Sequence, residues 1–239
     1  MATRCLLYYI TDRSQFRGNE VARRDALLAK IAEAVRAGVD YIQLREKDLS
    51  GRQMETLARE VVALIHGNVH ENVRENLTAT RVLINSRTDV ALAAGADAVH
   101  LRADDIAPHE VRSVFDRVVT GLRPVQAGQS PATTQNVQGQ FLVAASCHTV
   151  ADVFDAESEK VDFAVFAPVF GKSSAPGTQP SGLAALQEAC HAKIPVLALG
   201  GVNLGNAASC LNAGAAGIAG IRLFQENKIE DVVRRLRTF

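Results

Sequence analysis

Cations alternating with aliphatic residues are the first sign of chemistry in this 239-residue chain. In Tyr41-Ile42-Gln43-Leu44-Arg45-Glu46-Lys47, an extended backbone sends Gln43, Arg45 and Lys47 to one face and Ile42 and Leu44 to the other. Two cations on one interior face need an anion to offset their desolvation. A phosphate or pyrophosphate ligand would do this, and an internal salt bridge to a carboxylate is the structural alternative. Asn85 and Asp105 follow two later β-branched runs and would reach one rim. A carboxylate beside an amide suits Mg²⁺, which keeps waters and binds through one or two carboxylates plus phosphate oxygens. Asp104-Asp105 also reads as a cap for a helix opening near Pro108.

Ser146 and His148 share a face in Ala145-Ser146-Cys147-His148-Thr149. His148 reads either as an acid/base or phosphate contact or as a residue that orders its loop. Cys147 points the other way, toward a core. His66, His70, His109 and His191 fall in loop or helix contexts and carry no signal. Leu199-Gly200-Gly201 and Ala219-Gly220-Ile221-Arg222 end two further strands, where glycine lets backbone N–H groups approach a phosphate. Tight turns alone are the alternative. Between them, the stretch from Pro168 to Gly177 reads as a lid carrying Lys172 and hydroxyls over an anion. Two anion pockets suggest a diphosphate substrate paired with a monophosphate one.

The elements that must position these residues repeat. Short β-branched runs at Leu6–Thr11, Tyr41–Arg45, Val82–Asn85, Ala98–Leu101, Leu142–Ser146, Ala164–Val169, Val196–Leu199 and Gly217–Ile221 alternate with helical patterns. Those patterns include Arg24–Ala37, Gln53–Ile65, Asp89–Ala94, Val150–Ala156, Leu183–His191 and Ala207–Ala213. Eight βα units in 239 residues predict a single α/β domain, a (β/α)8 TIM barrel over 1–239. A doubly wound sheet is the runner-up, weakened because no GxGxxG follows the first strand. Three helices run into Gly38-Val39-Asp40, Gly95-Ala96-Asp97 and Gly214-Ala215-Ala216, a recurring stop signal. The polar segments His66–Thr80 and Leu122–Gln140 read as solvated loops opposite the active face.

With 26 basic and 26 acidic residues, the chain has no global attraction to nucleic acid or anionic membrane. No apolar run approaches the roughly 20 residues that span a bilayer. The start reads as a first strand, not a signal peptide. Four scattered cysteines fit free thiols in a reducing cytoplasm.

The chain resembles the thiamine phosphate synthase / TenI family. Gln43-Leu44-Arg45-Glu46-Lys47, Leu83-Ile84-Asn85, Val99-His100-Leu101, Ser146-Cys147-His148-Thr149, Pro168-Val169-Phe170 and Ala198-Leu199-Gly200-Gly201-Val202 occur in the family's order, from about Tyr8 to about Phe224. The resemblance implies a (β/α)8 barrel whose synthase branch joins hydroxymethylpyrimidine diphosphate to a thiazole phosphate, expelling pyrophosphate with Mg²⁺. It places Arg45, Lys47 and Asn85 by that pyrophosphate, Asp105 on the metal and Ser146 on the pyrimidine. It puts Gly201 and the backbone of Gly220, Ile221 and Arg222 on the thiazole phosphate.

Three positions depart from the synthase pattern. Ser86 stands where a second metal-binding Asp is expected, and Ala167 where Gly precedes the Pro. The lid's Thr-x-Thr-Lys aligns with Lys172-Ser173-Ser174-Ala175, which keeps one hydroxyl at Ser174. These changes resemble the sister branch of metal-independent thiazole tautomerases, in which His148 would match an acid/base residue. A non-catalytic thiamine-pathway ligand binder is the third reading. Each implies small phosphorylated ligands in the cytoplasm, without nucleic acid or membrane, and is compatible with a homo-oligomer.

Overall fold

The structure is a computed structural model that describes residues 4–67, 79–121, 141–171 and 179–239. Its eight strands are β1 (Leu6–Ile10), β2 (Tyr41–Leu44), β3 (Arg81–Asn85), β4 (Ala98–Leu101), β5 (Leu142–Cys147), β6 (Phe163–Phe166), β7 (Val196–Ala198) and β8 (Gly217–Gly220). They pair in parallel and in sequence order, and β8 returns to β1 to close the barrel. The (β/α)8 expectation holds. Helices α1 (Glu20–Arg36), α2 (Gly51–Gly67), α3 (Thr88–Ala94), α4 (Pro108–Gly121), α5 (Val150–Ser158), α6 (Gly182–Ala189) and α7 (Ala207–Asn212) follow β1 to β7 in turn. After β8 come α8 (Arg222–Gln225) and α9 (Ile229–Leu236).

Strand alternation divides the core in two. Outward residues such as Ile42, Leu44, Ile84 and Val99 pack beneath the helices against Leu27, Ile31 and Val61. Inward residues fill the barrel itself: Tyr8, Leu83, Leu142, Ala144, Phe163, Val165 and Leu197. Tyr41 and Phe163 stack with centroids 4.8 Å apart, and Tyr8 meets both edge-on. The interior is a packed core, not a pore. It leaves a ligand only the strand ends.

One device recurs four times on the opposite face. Helices α1, α3, α5 and α7 each end on a left-handed residue: Gly38 (φ 77°), Gly95 (φ 70°), Lys160 (φ 58°) and Gly214 (φ 100°). The N–H of the following residue then reaches back to the last turn, as in Val39 to the Ala34 carbonyl and Val161 to Ala156, both at 3.1 Å. At three of the four, the next residue is an Asp just ahead of its strand. Asp40 accepts from Leu7 N (2.8 Å), Asp97 from Val82 N (2.8 Å) and Asp162 from Val143 N (2.7 Å). Each carboxylate ties an even strand to the odd strand before it. Ahead of β8 stands Ala216, whose carbonyl accepts from Leu6 N at 2.9 Å. The sequence pattern showed three of these stops. The fourth was hidden because lysine stands where the others have glycine.

Several boundaries differ from expectation. β6 ends at Phe166, before the cis Ala167–Pro168 peptide, and β7 and β8 end one residue early. Helix α1 starts at Glu20, four residues before its apolar pattern, because the Asn19 side chain accepts from Ala22 N. Of the two polar segments read as loops, residues 68–78 and 122–140 lie outside the described residues, and α2 runs on to Gly67. No helix among the described residues is long and apolar enough to cross a membrane.

Asp40 also holds Arg4 (3.1 Å) and Arg237 (3.0 Å), so it joins the first strand, the second and the C-terminal helix end. Asp40→Ala strands a buried strand N–H, a loss worth about 1–3 kcal/mol. Chemical denaturation should show that loss for Asp40→Ala and almost none for exposed Asp25→Ala. Equal midpoints would reject the role.

Candidate active site

At the C-terminal end of the barrel the inward side chains turn polar. Gln43 and His100 are each 2% exposed, and Ser146 beside them is partly open. Tyr8 Oη lies 3.0 Å from His100 Nδ1, and His100 Nε2 lies 2.8 Å from Ser146 Oγ. Burial, and then the nearby Arg45 charge, push the His100 pKa down to about 3, with Asp105 opposing. His100 is therefore neutral at any physiological pH. Sequence reading missed both Tyr8 and His100. The available signal was their inward phase: Tyr8 alternates with Leu6 and Ile10, and His100 with Ala98.

Above this layer is a cleft of about 460 Å³, lined among others by Arg45, Lys47, Asn85, Ser86, Arg87 and Arg102. Arg45 follows directly from β2. The alternation that placed Lys47 on the interior face does not reach it. β2 ends at Leu44, and Lys47 is exposed in the following turn. The chain leaves the strand because Glu46 is drawn into the protein. Its carboxylate accepts from Thr11 Oγ1 (2.6 Å), Arg13 N (2.9 Å) and Arg13 Nη1 (3.3 Å). Burial raises the Glu46 pKa against these bonds. Arg13, 4% exposed, is also held by Asp48 and Glu20. Thr11 Oγ1 accepts from Arg45 N at 3.0 Å, so one hydroxyl fixes both the clamp and the cation beside it. Lys47 still lines the cleft, brought there by the turn.

Asn85 Nδ2 donates to Ser86 Oγ at 3.2 Å, and Ser86 has φ 60° with its N–H on the His100 carbonyl. Asp105 accepts from Arg102 N at 2.7 Å, and its other oxygen meets the Arg102 guanidinium at 3.3 Å. Asp105 caps no helix. Ahead of α4, the Ala107 N–H donates to Glu110 instead.

Ser146 belongs to the buried polar layer, whereas His148 is exposed. His148 Nδ1 donates to the Ala167 carbonyl at 2.7 Å, which leaves Nε2 for solvent or ligand. A capping box between Thr149 and Asp152 starts α5, and Asp152 also accepts from His148 N. Cys147 is core, its thiol pKa pushed up to about 12 by burial.

Gly200 (φ 93°) and Gly201 (φ 66°) are required by packing. A Cβ on the first would lie 2.7 Å from Pro168 Cα, and on the second 2.7 Å from Phe170 Cβ. Gly220 meets Leu223 similarly, Ile221 precedes α8, and Arg222 opens it, exposed. Lys172 and Ser174 lie outside the described residues.

A family model described as thiamine monophosphate synthase matches residues 7–122 and 125–224. The chain belongs to this family. A putative thiamine-phosphate synthase 2 of Aquifex aeolicus is 35% identical over 92% of this chain and 97% of its own length. A thiamine-phosphate synthase of Methanoculleus marisnigri is also 35% identical, over 97% and 93%. The solved thiamine phosphate pyrophosphorylase of Pyrococcus furiosus superposes with a TM-score of 0.70 at 23% identity, covering 99% and 95%.

Of the residues expected to hold Mg²⁺, Asn85 lines the cleft beside Ser86, whereas Asp105 is not among the lining residues and both its oxygens are engaged by Arg102. Among the described residues, no group of three or more His, Cys, Asp or Glu is arranged to hold a metal ion by itself. One carboxylate fits Mg²⁺ where substrate phosphate oxygens and waters complete the shell. The Thr11 clamp is testable without substrate. Thr11→Val leaves the Arg45 N–H and a Glu46 oxygen unpaired and should cost about 1–3 kcal/mol. A urea midpoint that does not move would reject it.

Proposed function

We propose that this member of the thiamine monophosphate synthase family couples hydroxymethylpyrimidine diphosphate to a thiazole phosphate. The bond from the pyrimidine methylene carbon to the diphosphate oxygen breaks, and pyrophosphate leaves with the electron pair. The thiazole nitrogen takes its place. One observation carries the reading. Arg45 and Lys47 line the same cleft as Asn85, and neither has a carboxylate within ion-pair distance among the described residues. A departing pyrophosphate supplies the missing negative charge, and its charge grows as the bond breaks, where fixed cations lower the barrier.

Asp105 with Asn85 would hold Mg²⁺, which adds positive charge to the diphosphate. Ser146 contacts the pyrimidine, and Gly201 with the backbone at Gly220, Ile221 and Arg222 binds the thiazole phosphate. Four free cysteines suit a reducing cytoplasm.

Two observations favour a second reading, a metal-independent thiazole tautomerase. Ser86 stands where the resemblance expects a metal-binding Asp, and His148 holds its Nδ1 proton on a backbone carbonyl with no partner at Nε2 among the described residues. That is the arrangement of a histidine ready to move a proton.

The assay combines pyrimidine diphosphate, thiazole phosphate and Mg²⁺ and follows thiamine phosphate, with and without chelator. Product that disappears with chelator supports the synthase. Proton shift on the thiazole carboxylate phosphate, unaffected by chelator and lost in His148→Ala, supports the tautomerase. In the synthase assay, Arg45→Ala should lower kcat/KM by roughly 10²–10³, the scale of one removed charge-stabilising group. An unchanged value would remove Arg45 from the leaving-group site.

A further inference from the structure

Beneath the cleft, three side chains from β1, β4 and β5 form one hydrogen-bonded row, and its direction follows from its chemistry. His100 is the middle member, with Nδ1 on Tyr8 and Nε2 on Ser146. It is buried and neutral, so one nitrogen donates and the other accepts. A phenol is a better donor than acceptor, and an unprotonated imidazole nitrogen is a good acceptor. The Tyr8 ring is held in place by the stacked Tyr41–Phe163 pair, both of which it meets edge-on.

The phenol therefore donates to Nδ1, and the His100 proton sits on Nε2. That proton points at Ser146 Oγ, 2.8 Å away. An oxygen that accepts there must turn its own hydrogen elsewhere, and Ser146 is partly open toward the cleft. We propose that Tyr8 and His100 are positioning residues that keep the Ser146 hydrogen from being spent on His100 and leave it free to be donated to the substrate. The site thereby offers a donor to a neutral acceptor, such as the ring nitrogen of a heteroaromatic. The pyrimidine as the ring in question rests on the proposed coupling reaction; the direction of the row does not.

Two measurements test this. The first is the tautomer of His100, read from ¹⁵N shifts of the six histidines in wild-type protein at neutral pH. The expected result is Nε2–H, while Nδ1–H or a protonated ring would overturn the proposal. The second is binding of hydroxymethylpyrimidine diphosphate to wild type, Tyr8→Phe, Ser146→Ala and the double variant. Tyr8→Phe should weaken binding about tenfold, the scale of one polar interaction. In the Ser146→Ala background it should add nothing, because Tyr8 acts through Ser146. An equal loss in both backgrounds would show a merely structural tyrosine and refute the proposal. If wild type fails to bind the diphosphate, the coupling reading falls, and the tautomer still decides the direction of the row.

Discussion

Closure of a parallel barrel makes every second strand residue point into a space without water. That constraint governs the rest of this molecule. Lower in the barrel it is met by size, with Tyr41, Phe163 and Tyr8 filling the axis. At the top it must be met by pairing, because Gln43, His100 and Ser146 are polar and nearly or partly enclosed. A buried imidazole beside Arg45 cannot carry charge, so it becomes a neutral relay between two hydroxyls. The floor of the site is thus uncharged and directional, while the cations stand on the rim. In the proposed coupling reaction, this division would separate recognition of a flat ring from recognition of a phosphate.

The rim depends on an interruption of the same alternation. Had β2 continued, Glu46 would point outward among the helices and Lys47 inward. Instead Thr11 and Arg13 capture Glu46, the strand stops at Leu44, and the next turn presents Lys47 to the cleft. Burial of that carboxylate is tolerable because three donor contacts hold it: Thr11 once, the Arg13 backbone once, and the Arg13 guanidinium, which Asp48 and Glu20 also pair. The ion pair anticipated as the alternative for Arg45 and Lys47 exists, but it belongs to their neighbour. It holds their backbone and leaves their charges for a ligand.

What was legible in the sequence follows from range. Strand phase is a local property, and it placed Gln43, Arg45 and Ser146 inward and Cys147 outward. Helix stops at Gly38, Gly95 and Gly214 were visible for the same reason. Lys160 was not, since its left-handed backbone is imposed by the chain around it. The Glu46–Arg13 clamp joins residues 33 apart, and Tyr8–His100 joins residues 92 apart. No spacing rule announces such pairs. The glycines teach the opposite lesson. Gly200 and Gly201 read as phosphate-binding residues, yet contacts with Pro168 and Phe170 are enough to require them. Their backbone can serve a ligand, but the residue type is no witness to one.

Ser86 is the position where local chemistry and family pattern pull apart. Its backbone lies in the left-handed region, which asparagine and aspartate adopt more readily than serine. Serine there keeps the turn and the bond from Ser86 N to the His100 carbonyl, and it gives the Asn85 amide a partner. What it gives up is one negative charge. Around the cleft, Arg45 and Lys47 then stand with Arg87 and Arg102, and the nearby Asp105 is already paired with Arg102. The balance at the rim shifts toward positive. A site with fewer carboxylates holds a cation less tightly by itself and an anion more tightly. In such a site the diphosphate, through its own oxygens, becomes the larger part of any metal's coordination shell. Substrate and metal would then bind as one unit on the Arg45–Lys47 rim, with the uncharged Tyr8–His100–Ser146 floor unaffected by either charge.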